Sequence, residues 1–236
     1  MKISIIAFIS FCVSSVCYGQ GTLIAGHFGS ANPTTEGFSL LQVGNISLVP
    51  ATSDLGFNAW SITASSPDDI GQYKQSLSSL LSANWVLSLT LRIGQPVNPG
   101  GSGIFASLVT GTEYFLLNFG ASANGDPVIQ AGSSQYNLNG IGDGYHNYQL
   151  MYDGNTDLAS LWVDGTEWLT SIQGSANPTS ASLAWGEGQH GASGSIYANW
   201  NEVALYTVPE PSPLSLIFLG SGILIYVRRI KKHSHV

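Results

Sequence analysis

Thiols are missing from almost the whole chain. Its two cysteines, Cys12 and Cys17, both lie within the first seventeen residues. The rest of the protein therefore has no disulfide and no cysteine-based metal site, and its stability must come from an ordinary core. Positive charge is equally scarce. Between Gly21 and Thr207 only Lys74 and Arg92 face thirteen carboxylates, which leaves this stretch near −11. Binding a phosphate backbone needs clustered Lys and Arg, so a nucleic-acid partner is excluded. Catalytic signatures are absent too. No His-x-x-x-His pair links His27, His146 and His190, and no Ser-His-Asp elbow is present. The glycine-rich run Pro99-Gly100-Gly101-Ser102-Gly103 reads as a flexible loop, because it lacks the lysine that a phosphate cradle requires.

What is present begins with the two ends. Met1 and Lys2 precede an apolar run from Ile3 to Val16 that is too short to span a bilayer comfortably and is followed by small residues. This is the layout of a secretory signal peptide, with cleavage expected after Gly19. A lipoprotein signal would need small residues just before the cysteine, whereas Phe11 precedes Cys12 and Val16 precedes Cys17. At the other end, Thr207-Val208-Pro209-Glu210-Pro211-Ser212-Pro213 places three prolines in five positions, which keeps the chain extended. The apolar run Leu214 to Val227 and the basic cluster Arg228, Arg229, Lys231 and Lys232 follow. Those cations hold the C-terminus in the cytoplasm and leave everything before the run outside. Fourteen helical residues cover only about 21 Å of a hydrocarbon core near 30 Å, as suits a temporary anchor.

Val208-Pro209-Glu210-Pro211, a short apolar helix and an arginine-rich end together resemble the PEP-CTERM sorting segment, here 208-232. The resemblance implies export across a bacterial inner membrane and recognition of Pro209, Glu210 and Pro211 by a membrane-embedded exosortase. In such a scheme these residues are substrate, not catalyst. The implied host is a Gram-negative bacterium that makes exopolysaccharide, so the expected location is the periplasmic face of the inner membrane, then the cell surface or matrix.

The 187 residues from Gly21 to Thr207 suit one domain, taken as 20-207 after a 1-19 signal. Trp85, Leu87, Leu89, Leu91 and Ile93 alternate with Ser88, Thr90 and Arg92, the period of a half-buried strand. Gly103 to Val109 and Glu113 to Phe119 read as strands joined through Thr110-Gly111-Thr112. Asn124-Gly125-Asp126-Pro127 is a turn before a short strand, Val128 to Ala131. Tyr148, Leu150 and Tyr152 share a strand face, and Asp164-Gly165 supplies the two positive φ values of a type I′ hairpin. Asp69 to Leu81 alone has helix-like spacing (Ile70, Tyr73, Leu77, Leu80, Leu81) and reads as a short helix or an irregular loop. Short strands with turns about every ten residues predict an all-β sandwich or jelly roll.

Gly144-Tyr145-His146-Asn147-Tyr148-Gln149-Leu150-Met151-Tyr152-Asp153, with Leu161-Trp162-Val163-Asp164-Gly165, resembles the laminin-G/concanavalin A-like lectin fold. Trp185-Gly186 and Asn199-Trp200-Asn201-Glu202-Val203 fit its closing strands. The resemblance implies a concanavalin A-like jelly-roll sandwich and a carbohydrate-associated role. It does not imply an activity, since lectins, hydrolases and spacers share this fold.

Hydrolysis of a glycoside needs two carboxylates across the sugar, about 5 Å apart for retention. Glu113, Glu167, Glu187 and Glu202 stand apart in the sequence, and no Glu-x-Asp-x-x-Glu strand is present. Val163-Asp164-Gly165-Thr166-Glu167-Trp168 approaches a sialidase-type Asp box without matching it, and the turn accounts for Asp164. No catalytic or cofactor-binding residue is therefore assigned. Asp153, Asn155 and Asp157 alternate as Ca²⁺ ligands do, but no distal glutamate follows and the same residues make ordinary turns. His146 is expected to pack within a sheet. Of six tryptophans, Trp85, Trp162 and Trp200 fall inside strands and are expected in the core. Trp60, Trp168 and Trp185 lie nearer strand ends, where an exposed ring could stack on sugar. The expectation is a non-catalytic lectin-like domain associated with exopolysaccharide or another surface glycan. The competing expectations are a glycoside hydrolase or sialidase-like enzyme on the same fold, and a purely structural matrix protein.

Overall fold

A computed structural model describes residues 21–81, 84–176, 180–188, 191 and 195–208. The signal segment and the tail from Pro209 onward lie outside the described residues, as does His190. In chain order the strands are β1 (Thr22–Phe28), β2 (Ser39–Val43), β3 (Ile46–Asp54), β4 (Phe57–Ala64), β5 (Ile70–Ser76), β6 (Trp85–Ile93), β7 (Ile104–Thr110) and β8 (Glu113–Ala121). They continue as β9 (Pro127–Ala131), β10 (Ser134–Asn137), β11 (His146–Asp153), β12 (Leu158–Val163), β13 (Thr166–Ile172), β14 (Ser175–Ala176), β15 (Ala181–Glu187) and β16 (Ile196–Thr207). One sheet runs β13-β12-β11-β6-β16-β4-β3, with β1 added on β16. The other runs β10-β9-β8-β7-β15-β5-β2, with β14 added on β8. Every pairing between described strands with a recorded register is antiparallel.

Alternation decides which side chains meet between the sheets. Leu87, Leu89, Leu91, Tyr148, Leu150 and Leu161 face inward from the first sheet, and Ile104, Leu108, Leu117, Phe119, Leu183 and Trp185 from the second. Trp185 anchors the centre. Its ring stacks on His27 and Tyr73, each at 5.0 Å, and tilts against Trp200 at 5.2 Å. Buried indole and phenol need hydrogen-bond partners, and Trp60 Nε1 donates to the Tyr73 hydroxyl at 2.9 Å.

The segment with helix-like spacing is strand β5, flanked by β15 on one side and β2 on the other. The apparent periodicity mixes two environments. Within the strand, Tyr73 points to the core and Ile70 to the opposite face, while Leu77, Leu80 and Leu81 belong to the loop that follows. Two long pairings outweigh a weak local helical pattern. The Pro99–Ser102 run is a single helical turn, where a flexible loop was expected. It packs beside Gly120, where a Cβ would lie 2.3 Å from the Val97 carbonyl oxygen. The Asp164-Gly165 turn has φ of 50° and 77°, as a type I′ hairpin demands.

Tryptophan placement departs from expectation in both directions. Trp60 and Trp185, read from the sequence as nearer strand ends, lie within β4 and β15 and are buried. Trp162 is half-buried on the outer side, because Leu161 and Val163 take the inward positions of β12. Its Nε1 donates to Ser160 Oγ at 3.1 Å.

Candidate functional site

The strongest polar constellation lies on the outer face of the first sheet and starts from a short hairpin. β3 and β4 are joined through Leu55 (φ 49°) and Gly56 (φ 87°), so Asp54 faces Phe57 directly. A bulge between Ala51 and Asp54, with Ser53 at φ 60°, re-aims the tip. Asp54 thereby reaches Arg92 on β6, although β4 and β16 stand between β3 and β6 in the sheet. Arg92 and Asn199 are cross-strand partners on that outer face, and Tyr145 precedes β11 on the far side of β6. The network thus ties β3, β6 and β16 to the segment that leads into β11.

Arg92 Nη1 donates to both Asp54 oxygens, at 2.8 and 3.1 Å. Asp54 Oδ2 also accepts from the Tyr145 hydroxyl at 2.9 Å and from Asn199 Nδ2 at 2.7 Å. Burial alone would raise the Asp54 carboxyl. Hydrogen bonds from Asn199, Tyr145 and Arg92, with the Arg92 charge, outweigh that effect and hold it below its ordinary value. Burial also pushes the Tyr145 hydroxyl up, and its bond to the carboxylate pushes it further. The ion pair is mostly covered, with side-chain exposures of 19% for Arg92 and 22% for Asp54.

Two polar atoms of this network have no hydrogen-bond partner, Asn199 Oδ1 and Arg92 Nε. One accepts and the other donates, and Asn199 is only 6% exposed. Both of those atoms are covered from solvent, whereas Phe57, which stacks on Tyr145 with ring centroids 4.4 Å apart, remains 39% exposed. A rigid, backed and exposed aromatic ring is a surface on which the C–H face of a sugar can pack. Trp168 is similarly exposed, at 37%, but sits on edge strand β13 without such a network.

The residues picked out by the sequence fall into different places. His146 is buried in the sheet as expected. Its Nδ1 lies 2.7 Å from Asp164 Oδ2 and its Nε2 3.0 Å from the Gly142 carbonyl oxygen. His27 is fully buried, with Nδ1 2.6 Å from Glu36 Oε2. Asp153 Oδ1 accepts from the backbone N–H and side-chain amide of Asn155, at 2.9 and 3.1 Å, which is a local turn. Asp157 instead accepts the Tyr152 hydroxyl at 3.0 Å. Among the described residues no group of three His, Cys, Asp or Glu side chains could hold a metal ion.

The four glutamates remain apart. Glu167 lies on β13 opposite Trp162, and Glu202 on β16 opposite Thr90. Glu187 ends β15, is 1% exposed, and is pushed up to about 8 by burial, with the Asp69 charge adding to the shift against a hydrogen bond from the Ala64 backbone. Glu113 and Asp157 both act on the Tyr152 hydroxyl, which donates to Asp157 at 3.0 Å. The outer-face strand positions of the second sheet carry no carboxylate. They present Gln72, Lys74, Ser107, Tyr114, Asn118 and Gln130 among apolar and small residues such as Phe105 and Leu116.

Sequence reasoning missed Asp54, Phe57, Tyr145 and Asn199 as a group. The available signal was Arg92, the sole arginine of an acidic body, at an outward position of a strand.

Two antiparallel sheets packed around one apolar core define an all-β sandwich, and comparison with solved structures places it among jelly rolls. A conserved carbohydrate esterase from the Shiga toxin-encoding bacteriophage phi24B superposes with a TM-score of 0.56 at 12% identity, covering 79% of this chain and 99% of that one. A botulinum neurotoxin type C structure, whose cell entry depends on interaction with two ganglioside molecules, gives 0.52 at 12% identity, covering 84% and 51%. A sialidase gives 0.53 at 10% identity, covering 79% of this chain and 19% of that one. The chain thus spans the whole esterase but about half of the toxin chain and a fifth of the sialidase. At these identities the likeness is one of fold. No protein-family model matches the chain, and no curated protein matches it significantly.

Proposed function

We propose that this chain is an exported bacterial surface protein with a non-catalytic, laminin-G/concanavalin A-like domain that binds exopolysaccharide or another surface glycan. The observation that carries the reading is the exposed Phe57 ring stacked on Tyr145, whose hydroxyl is held in turn by Asp54, itself paired with Arg92. The carbohydrate esterase, ganglioside-dependent toxin and sialidase that share the fold lend it support. A non-catalytic role is supported by the separation of Glu167, Glu187 and Glu202. An outer face of the second sheet without carboxylates supports it further.

Export rests on the two ends of the sequence. The 1-19 segment is the signal peptide, Pro209-Glu210-Pro211 is the exosortase recognition element, and 214-227 is a transient inner-membrane anchor held by Arg228, Arg229, Lys231 and Lys232. Mass spectrometry of the surface-extracted protein is expected to find a C-terminus near Pro209. Replacing Pro209 and Pro211 by Ala is expected to leave the tail intact, and an uncut tail in the parent would overturn the sorting assignment. Glycan-array screening of the full chain tests the binding assignment; binding to no glycan at millimolar levels would refute it.

No cofactor is required by this reading. Adding Ca²⁺ or EDTA is expected to leave the melting temperature unchanged, because Asp153 and Asp157 bind separate neighbours. A Ca²⁺-dependent rise in thermal scans would assign a site to Asp153, Asn155 and Asp157 instead. One observation favours the enzyme alternative: the Glu113 and Asp157 carboxylates both act on the Tyr152 hydroxyl, which donates to Asp157. Polysaccharide hydrolysis abolished by Glu113→Gln would establish it.

A further inference from the structure

The lone lysine of the body marks a second place on the surface. Lys74 points outward from β5, on the face of the sheet opposite Tyr73. Among the described residues it enters no ion pair. The loop after β5 turns over the start of β15, held by Leu77 N–H donating to the Ala181 carbonyl at 2.9 Å. Between them lies an open hollow of about 360 Å³. Its lining has three kinds of group. Lys74 supplies a cation, Ser76, Ser78, Ser79, Ser180 and Ser182 supply five hydroxyls, and Leu77, Leu80 and Ala181 supply apolar surface. Among the described residues no carboxylate lines it.

This composition is unusual on a body that carries about eleven excess negative charges. That net charge repels an approaching anion overall. Here a strongly hydrated ammonium stands without a neutralising neighbour, so a carboxylate brought into the hollow gains a charge-assisted hydrogen bond. One cation matches one negative charge, which suits a carboxylate better than a dianionic phosphate. Serine hydroxyls both donate and accept, and so match the hydroxyls of a sugar without fixing one pattern. The leucines offer a surface to a sugar C–H face. The volume lies in the range of small-ligand sites, about 300–1,000 Å³.

We propose that the hollow at Lys74 binds the carboxylate of a sugar acid, a uronic or sialic acid residue carried by the glycan. The proposal rests on the glycan-binding reading but uses a different sheet from Phe57, so the two can fail separately.

The test is titration of the full chain with methyl glucuronide, N-acetylneuraminate and methyl glucoside, followed by saturation-transfer NMR. At least one acid is expected to bind at least about tenfold more tightly than the neutral glucoside, a difference near 1.4 kcal/mol. Lys74→Gln is expected to remove that difference, Lys74→Arg to keep it, and Phe57→Ala to leave it unchanged. Lys74 is exposed, so neither change at that position should disturb folding. A preference for glucuronide alone or neuraminate alone identifies the acid within the proposed class. Equal binding of acid and neutral sugars, no binding of any, or acid binding that survives Lys74→Gln would overturn it. Binding of a neutral oligosaccharide that is lost in Phe57→Ala and kept in Lys74→Gln would leave the first reading standing alone.

Discussion

Raising the pH from about 4.5 to above about 8 is expected to destabilise the folded body, and Glu187→Gln is expected to abolish much of that loss. Glu187 is fully buried on the inward side of β15, and burial raises its carboxyl from 4.5 to about 8. The folded state therefore holds a proton that the unfolded chain releases at lower pH. Between those two values the folded form binds more protons, so unfolding free energy falls as pH rises. The stabilisation is fully present below the unfolded value near 4.5 and is lost as pH passes through about 8. Its size is on the order of 3 kcal/mol when relaxation and water entry are allowed for. Glutamine keeps the shape and an acceptor for the Ala64 N–H while removing the ionisation. Urea unfolding at several pH values checks this. Parallel curves for the parent and Glu187→Gln would contradict it.

Asp54→Ala is the second large change. It leaves the mostly covered Arg92 guanidinium without its counter-charge, and takes the acceptor from Tyr145 and Asn199. Removing one partner of a covered pair exceeds the worth of a surface salt bridge, because the remaining charge is stranded. The expected loss is about 2–3 kcal/mol. The three strands that the network joins to the start of β11 would lose their outer clamp, and the backing of Phe57 by Tyr145 would loosen. The pH sign is opposite to that of Glu187. The folded-state value of Asp54 is depressed, so its contribution is complete above the unfolded value of 3.8 and disappears as pH falls through the lower folded value. Together the two groups place the stability maximum between acid and neutral pH. Denaturant melts of Asp54→Ala and Asp54→Asn check the magnitude, with Asp54→Asn expected to retain part of the geometry. A loss below about 0.5 kcal/mol for Asp54→Ala would show that the network is not a clamp.

Much of the sandwich was legible because its strands alternate strictly. β6, β7, β8, β11 and the β12–β13 hairpin follow from period two and from turn residues with positive φ. β5 was not legible, since two neighbouring strands fix it and its own sequence carries only Tyr73 as an inward anchor. The site was less visible still. Asp54, Phe57, Arg92, Tyr145 and Asn199 are spread over 146 positions of sequence, and they meet only because a bulged hairpin crosses two strands. Local pattern carries no record of such a crossing. The turn reading of Asp153 and Asn155 was legible for the opposite reason, since that hydrogen bond spans two residues.

The central claim is that Phe57 and its polar neighbours form a glycan platform, and titration of an array-selected oligosaccharide into parent, Phe57→Ala and Trp168→Ala proteins tests it most directly. Loss of a stacking ring is expected to weaken binding by about 1–2 kcal/mol, or roughly five- to thirtyfold. Trp168→Ala, at the other exposed aromatic, is expected to bind as the parent does. Unchanged affinity in Phe57→Ala, or a loss confined to Trp168→Ala, would contradict the account.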